Sequence, residues 1–214
     1  MARTHLAKSV LFFLIFLFLS FITTWGIFDR FDYFSMIFLQ RIIPPLFDIP
    51  FALLSFSGST EITALLLLVF SYIFFAKRKK IPFGIILFAL IFLIEVAGKI
   101  FIFQEPPPIY LQKKVIPFIF PSSSFVFTPF SYPSGHMARI CFLATLYLTY
   151  AVKFIREKKK MKIILVVGIF YLFIMTVSRI YLGAHWFSDV LGGAILGISL
   201  GLLANDLIYE KNIG

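Results

Sequence analysis

Two of the three histidines in this chain stand beside other groups that could do chemistry. His185 falls in SRIYLGAHWFSD (178–189), with Asp189 four residues on and Arg179 six before. On one helical face the aspartate can accept a hydrogen bond from one imidazole nitrogen, leaving the other unprotonated and aimed outward. That is how a histidine is made nucleophilic or basic. Arg179 brings a planar, permanently charged fork suited to phosphate oxygens. His136 closes PSGH (133–136), and Arg139 follows three residues later. Pro133 ends whatever precedes it, Ser134 suits a helix N-cap, and Gly135 lets the backbone come close to a ligand. The first amides of a helix lack internal partners and lie at its positive end, so they make an anion site. Each fragment also has an architectural reading: an Arg–Asp pair with a snorkelling histidine, or an ordinary serine cap. Together, an anion cradle, cationic side chains and two histidines, one with a carboxylate behind it, point to phosphoryl transfer through a histidine. One histidine attacks and the other protonates the leaving oxygen. The sequence has no acidic cluster for magnesium and no Cys/His spacing for zinc, so no metal and no cofactor are expected.

These polar residues sit in a very apolar chain. Of 214 residues, 60% are hydrophobic and 14% charged, against about 25% charged in soluble domains. The bilayer is the solvent that suits such a composition. A single cysteine, Cys141, excludes an internal disulfide framework. Six apolar runs, 9–28, 58–76, 81–103, 136–154, 161–181 and 186–208, approach the roughly 20 residues a helix needs to cross the hydrocarbon. The first is too long for a signal peptide and lacks a small-x-small cleavage site, so a retained helix is expected. The predicted fold is all-α: an integral membrane bundle of six transmembrane helices forming a single domain, 1–214.

The net charge of +10 is concentrated in connections. KRKK (77–80) and KFIREKKKMK (153–162) are strongly basic, which makes both cytoplasmic by the positive-inside rule, together with both termini. The charge therefore orients the chain, and no nucleic-acid partner is expected. The 29–57, 104–135 and 182–185 connections then face outward. The first of these mixes aromatic and charged residues and breaks at Pro44-Pro45, as either an interfacial amphipathic helix or a lid over the bundle would. Glu95, Lys99, His136, Arg139, Arg179, His185 and Asp189 all fall toward the outward ends of their runs. Ionisable residues inside a membrane segment are functional candidates by default. Gly193, Gly197 and Gly201 continue the line from His185 and Asp189 at four-residue steps, a small-residue row that turns this face toward the bundle.

PSGH followed by Ser178-Arg179-x5-His185-x3-Asp189 resembles the second and third signature motifs of the type-2 phosphatidic acid phosphatase superfamily, which also includes the vanadium haloperoxidases. The six-helix layout is similar to its membrane branch. The resemblance implies His185 as nucleophile through a phosphohistidine, Asp189 as its orienter and His136 as general acid. It implies Ser134, Gly135, Lys99 and Arg179 as phosphate ligands. The first family motif, Lys-x6-Arg-Pro, is represented by Lys99 and Pro107, but Pro106 stands in place of the arginine. Arg139, one turn into its helix, is expected to take over part of that ligand's work or else to pair with Asp189 or Glu95. Glu95 either holds Lys99 in place or only neutralises it. The loop 109–130 is expected to select the head group, with Lys113 and Lys114 either attracting an anionic lipid or standing as solvated loop charge.

The function expected from all this is a metal-independent lipid phosphatase at the outer face of a bacterial cytoplasmic (inner) membrane. Its substrate would be undecaprenyl diphosphate, phosphatidylglycerol phosphate or lipid A 1-phosphate. Its partners would be that lipid phosphate and the membrane lipids, with no obligate protein partner. A lipid phosphotransferase using the same histidine, and a non-catalytic lipid binder or transporter, are the alternatives.

Overall fold

The computed structural model describes residues 2–78, 83–116 and 128–209, and every regular element among them is helical. The helices are α1 (Ala2–Thr24), α2 (Asp29–Ile42), α3 (Asp48–Phe56), α4 (Thr60–Arg78), α5 (Phe83–Phe101), α6 (Gly135–Phe154), α7 (Lys158–Tyr181) and α8 (Phe187–Tyr209). Apolar runs without internal breakers form helices because a backbone in hydrocarbon must satisfy its own hydrogen bonds.

All six expected spans fall on helices. Five are long and apolar enough to cross a membrane: His5–Thr24, Gly84–Phe101, Gly135–Phe154, Lys158–Tyr181 and Phe187–Ile208. The remaining expected run, 58–76, falls on α4, whose apolar stretch at Thr60–Tyr72 is shorter than these five, and the bent pair Asp29–Ile42 and Pro45–Phe56 is apolar enough to make a broken sixth. The protein is thus a multi-span, all-α membrane protein. The first helix lies closer to the N-terminus than the 9–28 run, because Gly26 takes a left-handed turn (φ 66°) just after it.

The 29–57 connection is two helices, α2 and α3, bent by 102° at the Pro44-Pro45 break. Proline lacks the amide that would continue the helix, and it pushes the preceding residue into extended backbone. α2 is amphipathic, with Asp32 and Met36 buried one turn apart and Phe31, Phe34 and Phe38 exposed. Its buried face rests on α7 and α8.

α8 is the axis of the bundle, with its most extensive contacts to α6 and α1. Apolar side chains gain little by leaving lipid tails for each other, so helices associate through close packing and interhelical hydrogen bonds. Both are present. A Cβ on Gly193 would strike the Ser134 carbonyl, and one on Gly197 the Ala138 carbonyl. On the other side of α8, the Ser9 hydroxyl donates to the Ser199 carbonyl and the Ser199 hydroxyl to the Ser9 carbonyl, each at 2.9 Å. By contrast, α7 leaves Val166, Val167, Phe170 and Phe173 exposed on the face a membrane would cover.

Gly197→Leu should therefore force α6 and α8 apart and destabilise the protein by about 1–3 kcal/mol, the usual range for overpacking. Gly168→Leu should cost far less, because its nearest neighbour is the end of the flexible Leu148 side chain at 3.0 Å. SDS-induced unfolding of the purified variants in detergent measures the difference.

Candidate active site

Four helix ends converge. α5 ends with Glu95 and Lys99, α6 begins at Gly135, α7 ends with Arg179, and α8 begins two residues after His185. Gly183, at φ 66°, reverses the chain between α7 and α8 and lies against the Leu111 carbonyl, leaving no room for a side chain. The Ala184 and His185 amides then donate to the Arg179 carbonyl at 3.1 and 3.3 Å. His185 thus sits in the turn ahead of α8, rather than on the helix as the four-residue spacing suggested.

Its link to Asp189 forms all the same. Nδ1 of His185 lies 3.2 Å from Oδ2 of Asp189, and the Trp186 amide donates to the same oxygen at 3.0 Å. With Nδ1 donating to the carboxylate, Nε2 carries the lone pair. Burial holds the His185 pKa well below the usual histidine value, and the positive charges of Arg179 and Lys99 lower it further. The imidazole is therefore neutral around pH 7.

The PSGH segment docks onto this turn. The Ser134 amide donates to the Asp189 carbonyl at 2.9 Å, so both motif segments share one hydrogen bond. Ser134 holds the N-cap position of α6, but its side chain makes no capping bond, which departs from the serine-cap reading. Its buried hydroxyl has no partner among the described residues.

Glu95 stands between the cations. Its Oε1 takes Lys99 Nζ at 2.8 Å and its Oε2 takes Arg139 at 2.5 Å. Of the two partners considered for Arg139, Glu95 is the one it meets, and a second guanidinium nitrogen reaches the Gly58 carbonyl at 3.4 Å. Arg179 donates to the Ser55 hydroxyl. The Nε of each arginine is buried without a partner among the described residues.

A cavity of about 210 Å³ opens among these groups. Lys99, His136, Arg139, Arg179 and His185 line it, as does Glu95, while Phe92 and Val96 give it an apolar wall and Thr60 and Thr128 complete it. Of the remaining residues singled out in the sequence, Asp189 stands behind His185, and Ser134 and Gly135 form the start of α6. Among the described residues no three His, Cys, Asp or Glu side chains cluster as a metal site would. Pro106 is exposed and is not part of the cavity wall. Its neighbour Glu105 lends a carbonyl to Trp186 Nε1 at 2.7 Å, securing the residue after His185.

Lys113 is no free loop charge: it bridges Asp48 at 2.9 Å and the Tyr181 hydroxyl at 2.7 Å, whereas Lys114 is exposed. The middle of the expected selector loop, 117–127, lies outside the described residues.

Asp32 was not foreseen. Only 1% exposed, it receives the Ser188 amide at 2.8 Å on Oδ1 and the Ser188 hydroxyl at 2.5 Å on Oδ2, so α2 caps the helix that carries Asp189. The available signal was its one-turn spacing from Met36 on the amphipathic stripe. Ser55 and Gly58, which meet the two arginines, had no such signal.

Residues 86–213 match the model of the PAP2 superfamily, and the chain belongs to that superfamily. It is 36% identical over 77 residues to phosphatidylglycerophosphatase B of Bacillus subtilis, covering 35% of this chain and 37% of the relative. It is 32% identical over 99 residues to an undecaprenyl-diphosphatase of Sulfolobus acidocaldarius, covering 44% of each. The matched stretches thus span less than half the length of either relative. In fold it is similar to the crystal structure of a transmembrane PAP2 type phosphatidylglycerolphosphate phosphatase from Bacillus subtilis, with TM-score 0.75 and 22% identity over 97% of this chain and 98% of that one. LpxE of Aquifex aeolicus aligns over 82% of this chain and 94% of its own with TM-score 0.59 and 27% identity.

Asp32→Ala would strand two buried donors of Ser188, at about 1–3 kcal/mol for each unsatisfied group. The expected outcome is a loss of about 2–6 kcal/mol in SDS unfolding. Asp32→Asn, which keeps one acceptor oxygen, should fall between that variant and the wild type.

Proposed function

We propose that this protein is a metal-independent lipid phosphatase acting through a phosphohistidine. The reading is carried by one observation: His185, backed by Asp189, shares a single small cavity with His136 and three cationic side chains. The cations draw in the phosphoryl group and balance charge that develops on its oxygens. Nε2 of His185 attacks phosphorus, the phosphorus–oxygen bond to the lipid breaks, and His136 gives its proton to the departing oxygen. Water then attacks phosphorus, the nitrogen–phosphorus bond breaks, and His136 takes a proton from the water. Inorganic phosphate leaves and both histidines return to their starting states. Asp189 keeps the His185 ring in the attacking tautomer and offsets the positive charge the ring gains.

The substrate is a membrane lipid carrying a phosphate or diphosphate. The apolar wall of Phe92 and Val96 beside the cationic groups supports a ligand that is part lipid and part anion. Phosphatidylglycerol phosphate and undecaprenyl diphosphate, suggested by the names of the relatives, are the first to try, with lipid A 1-phosphate third. The site lies at the C-terminal end of α5 and the N-terminal end of α6, the opposite end of α6 from the basic α6–α7 connection. With the basic α4–α5 and α6–α7 connections and both termini on the cytoplasmic side of a bacterial inner membrane, the site acts at the outer face.

His185→Ala should abolish phosphate release from these lipids, measured in detergent with EDTA present. The wild type should keep its full rate in EDTA; a strict need for added magnesium would sink the metal-free mechanism. His136→Ala with an activated aryl phosphate should accumulate label on His185, because such a leaving group needs no acid while the water step still needs a base. Quenching in alkaline SDS preserves a phosphohistidine, and label on a serine would refute it.

The attacking histidine must be neutral. Since its pKa is held below the usual value, the acid limb of kcat/KM, on which His185 loses its lone pair, should lie below pH 6.5, while a separate alkaline limb marks loss of the proton that His136 gives to the leaving oxygen. A pH–rate profile from 4.5 to 8 checks this; an acid limb centred above 6.5 would contradict it.

A further inference from the structure

Resting on the phosphatase reading, we propose that Glu95 is a built-in competitor for the substrate phosphate. Its carboxylate lies in the anion cradle at the start of α6, yields to the incoming phosphoryl group, and returns to expel inorganic phosphate.

Three features of its placement carry this. The two carboxylate oxygens take one cation each, Lys99 at 2.8 Å and Arg139 at 2.5 Å, much as two oxygens of a phosphate would. The carboxylate also lies directly on Gly135, the first residue of α6: a Cβ there would overlap both oxygens and the carbon between them. That puts the carboxylate beside the N-terminal end of α6, whose positive end favours an anion. Finally, Glu95 faces the same cavity as His136, Arg179 and His185, and does not point away into the bundle.

A side chain that merely neutralised Lys99 would need only the i,i+4 pair. Lying against Gly135 and binding an arginine from another helix adds nothing to that task. It does put a negative charge where a phosphoryl group must come within reach of the same two cations. Two anions cannot share those donors without strong repulsion, so bound phosphate and Glu95 exclude each other. The competition weakens the hold on phosphate in the ground state and after reaction alike. It therefore favours release of the product from a cradle that three cations would otherwise grip tightly.

The test uses the full-length protein in detergent, with inorganic phosphate and orthovanadate as competitive inhibitors of phosphate release from a lipid phosphate. Glu95→Gln removes the charge and keeps the shape. Its inhibition constants for both anions should fall about tenfold or more, with kcat reduced as product release slows. Unchanged or raised constants in an active variant overturn the proposal. Should Glu95→Gln fail to fold, the wild type still decides. Infrared difference spectra on adding orthovanadate, with and without 13C-glutamate, should show a shifted glutamate carboxylate band, and no shift overturns the idea. A wild type that neither releases phosphate nor binds orthovanadate refutes the phosphatase reading, and this proposal with it. An active wild type whose inhibition is insensitive to residue 95 refutes this proposal alone.

Discussion

The close approach of α6 to α8 positions everything else at the candidate site. In lipid there is little to gain from hiding one apolar side chain behind another, so two helices stay together only where their backbones can touch. Gly193 and Gly197 allow this by leaving space for the Ser134 and Ala138 carbonyls. The Ser134 amide then reaches the Asp189 carbonyl at 2.9 Å. A contact made for packing thus places the start of one helix, with His136, beside the turn that holds His185. Side chains at positions 193 or 197 would move the two candidate histidines relative to one another before they disturbed either one's own neighbours.

The second constraint is charge. Lys99, Arg139, Arg179, Glu95 and Asp189 all gather at one end of a bundle that offers them little water, and unpaired charges there are expensive. The structure meets the cost by distribution. Glu95 serves two cations, Asp189 is held by the Trp186 amide and His185, and Arg179 leans on the Ser55 hydroxyl. Positive charge remains in excess around the cavity, and that excess is what an anionic substrate would answer. Asp32 extends the arrangement outward, since α2 and α8 meet through a buried carboxylate bonded twice to Ser188. The amphipathic helix, open in sequence to reading as an interfacial helix or as a lid, is therefore also a clamp on the helix bearing Asp189.

Much of this was legible in the sequence because it is local. The spans follow from hydrophobic run length, and the site groups from motifs a few residues long, each placed at a helix end by the apolar residues beside it. Contacts between distant segments left no such trace. Asp32 and Ser188 lie 156 positions apart, and no periodicity ties them. Ser55 and Gly58 meet the arginines only because α3 and the turn after it fold back toward α7 and α6. Lys113 looked like solvated loop charge because nothing nearby announced Asp48 or the Tyr181 hydroxyl. The serine of PSGH misled in a subtler way. Its residue type suits a cap, yet its hydroxyl makes no capping bond while its backbone amide makes the bond that matters.

Pro106, where the family motif has an arginine, now reads differently. The position is exposed and stands off the cavity wall, and its stretch of chain serves to hold Trp186 through the Glu105 carbonyl. Arg139, from inside the bundle, supplies a guanidinium at the cavity instead. Pairing with Glu95 and binding phosphate, which looked like rival roles for it, are compatible if they alternate. Arg139 is held by Glu95 at 2.5 Å while its Nε has no partner among the described residues, and the Gly58 carbonyl at 3.4 Å takes a second nitrogen of the guanidinium. If the Glu95 carboxylate gives way as proposed, a guanidinium fixed on its other side is already oriented for an incoming anion. It need only exchange one pair of oxygens for another, which keeps the cation neutralised in the membrane at every stage.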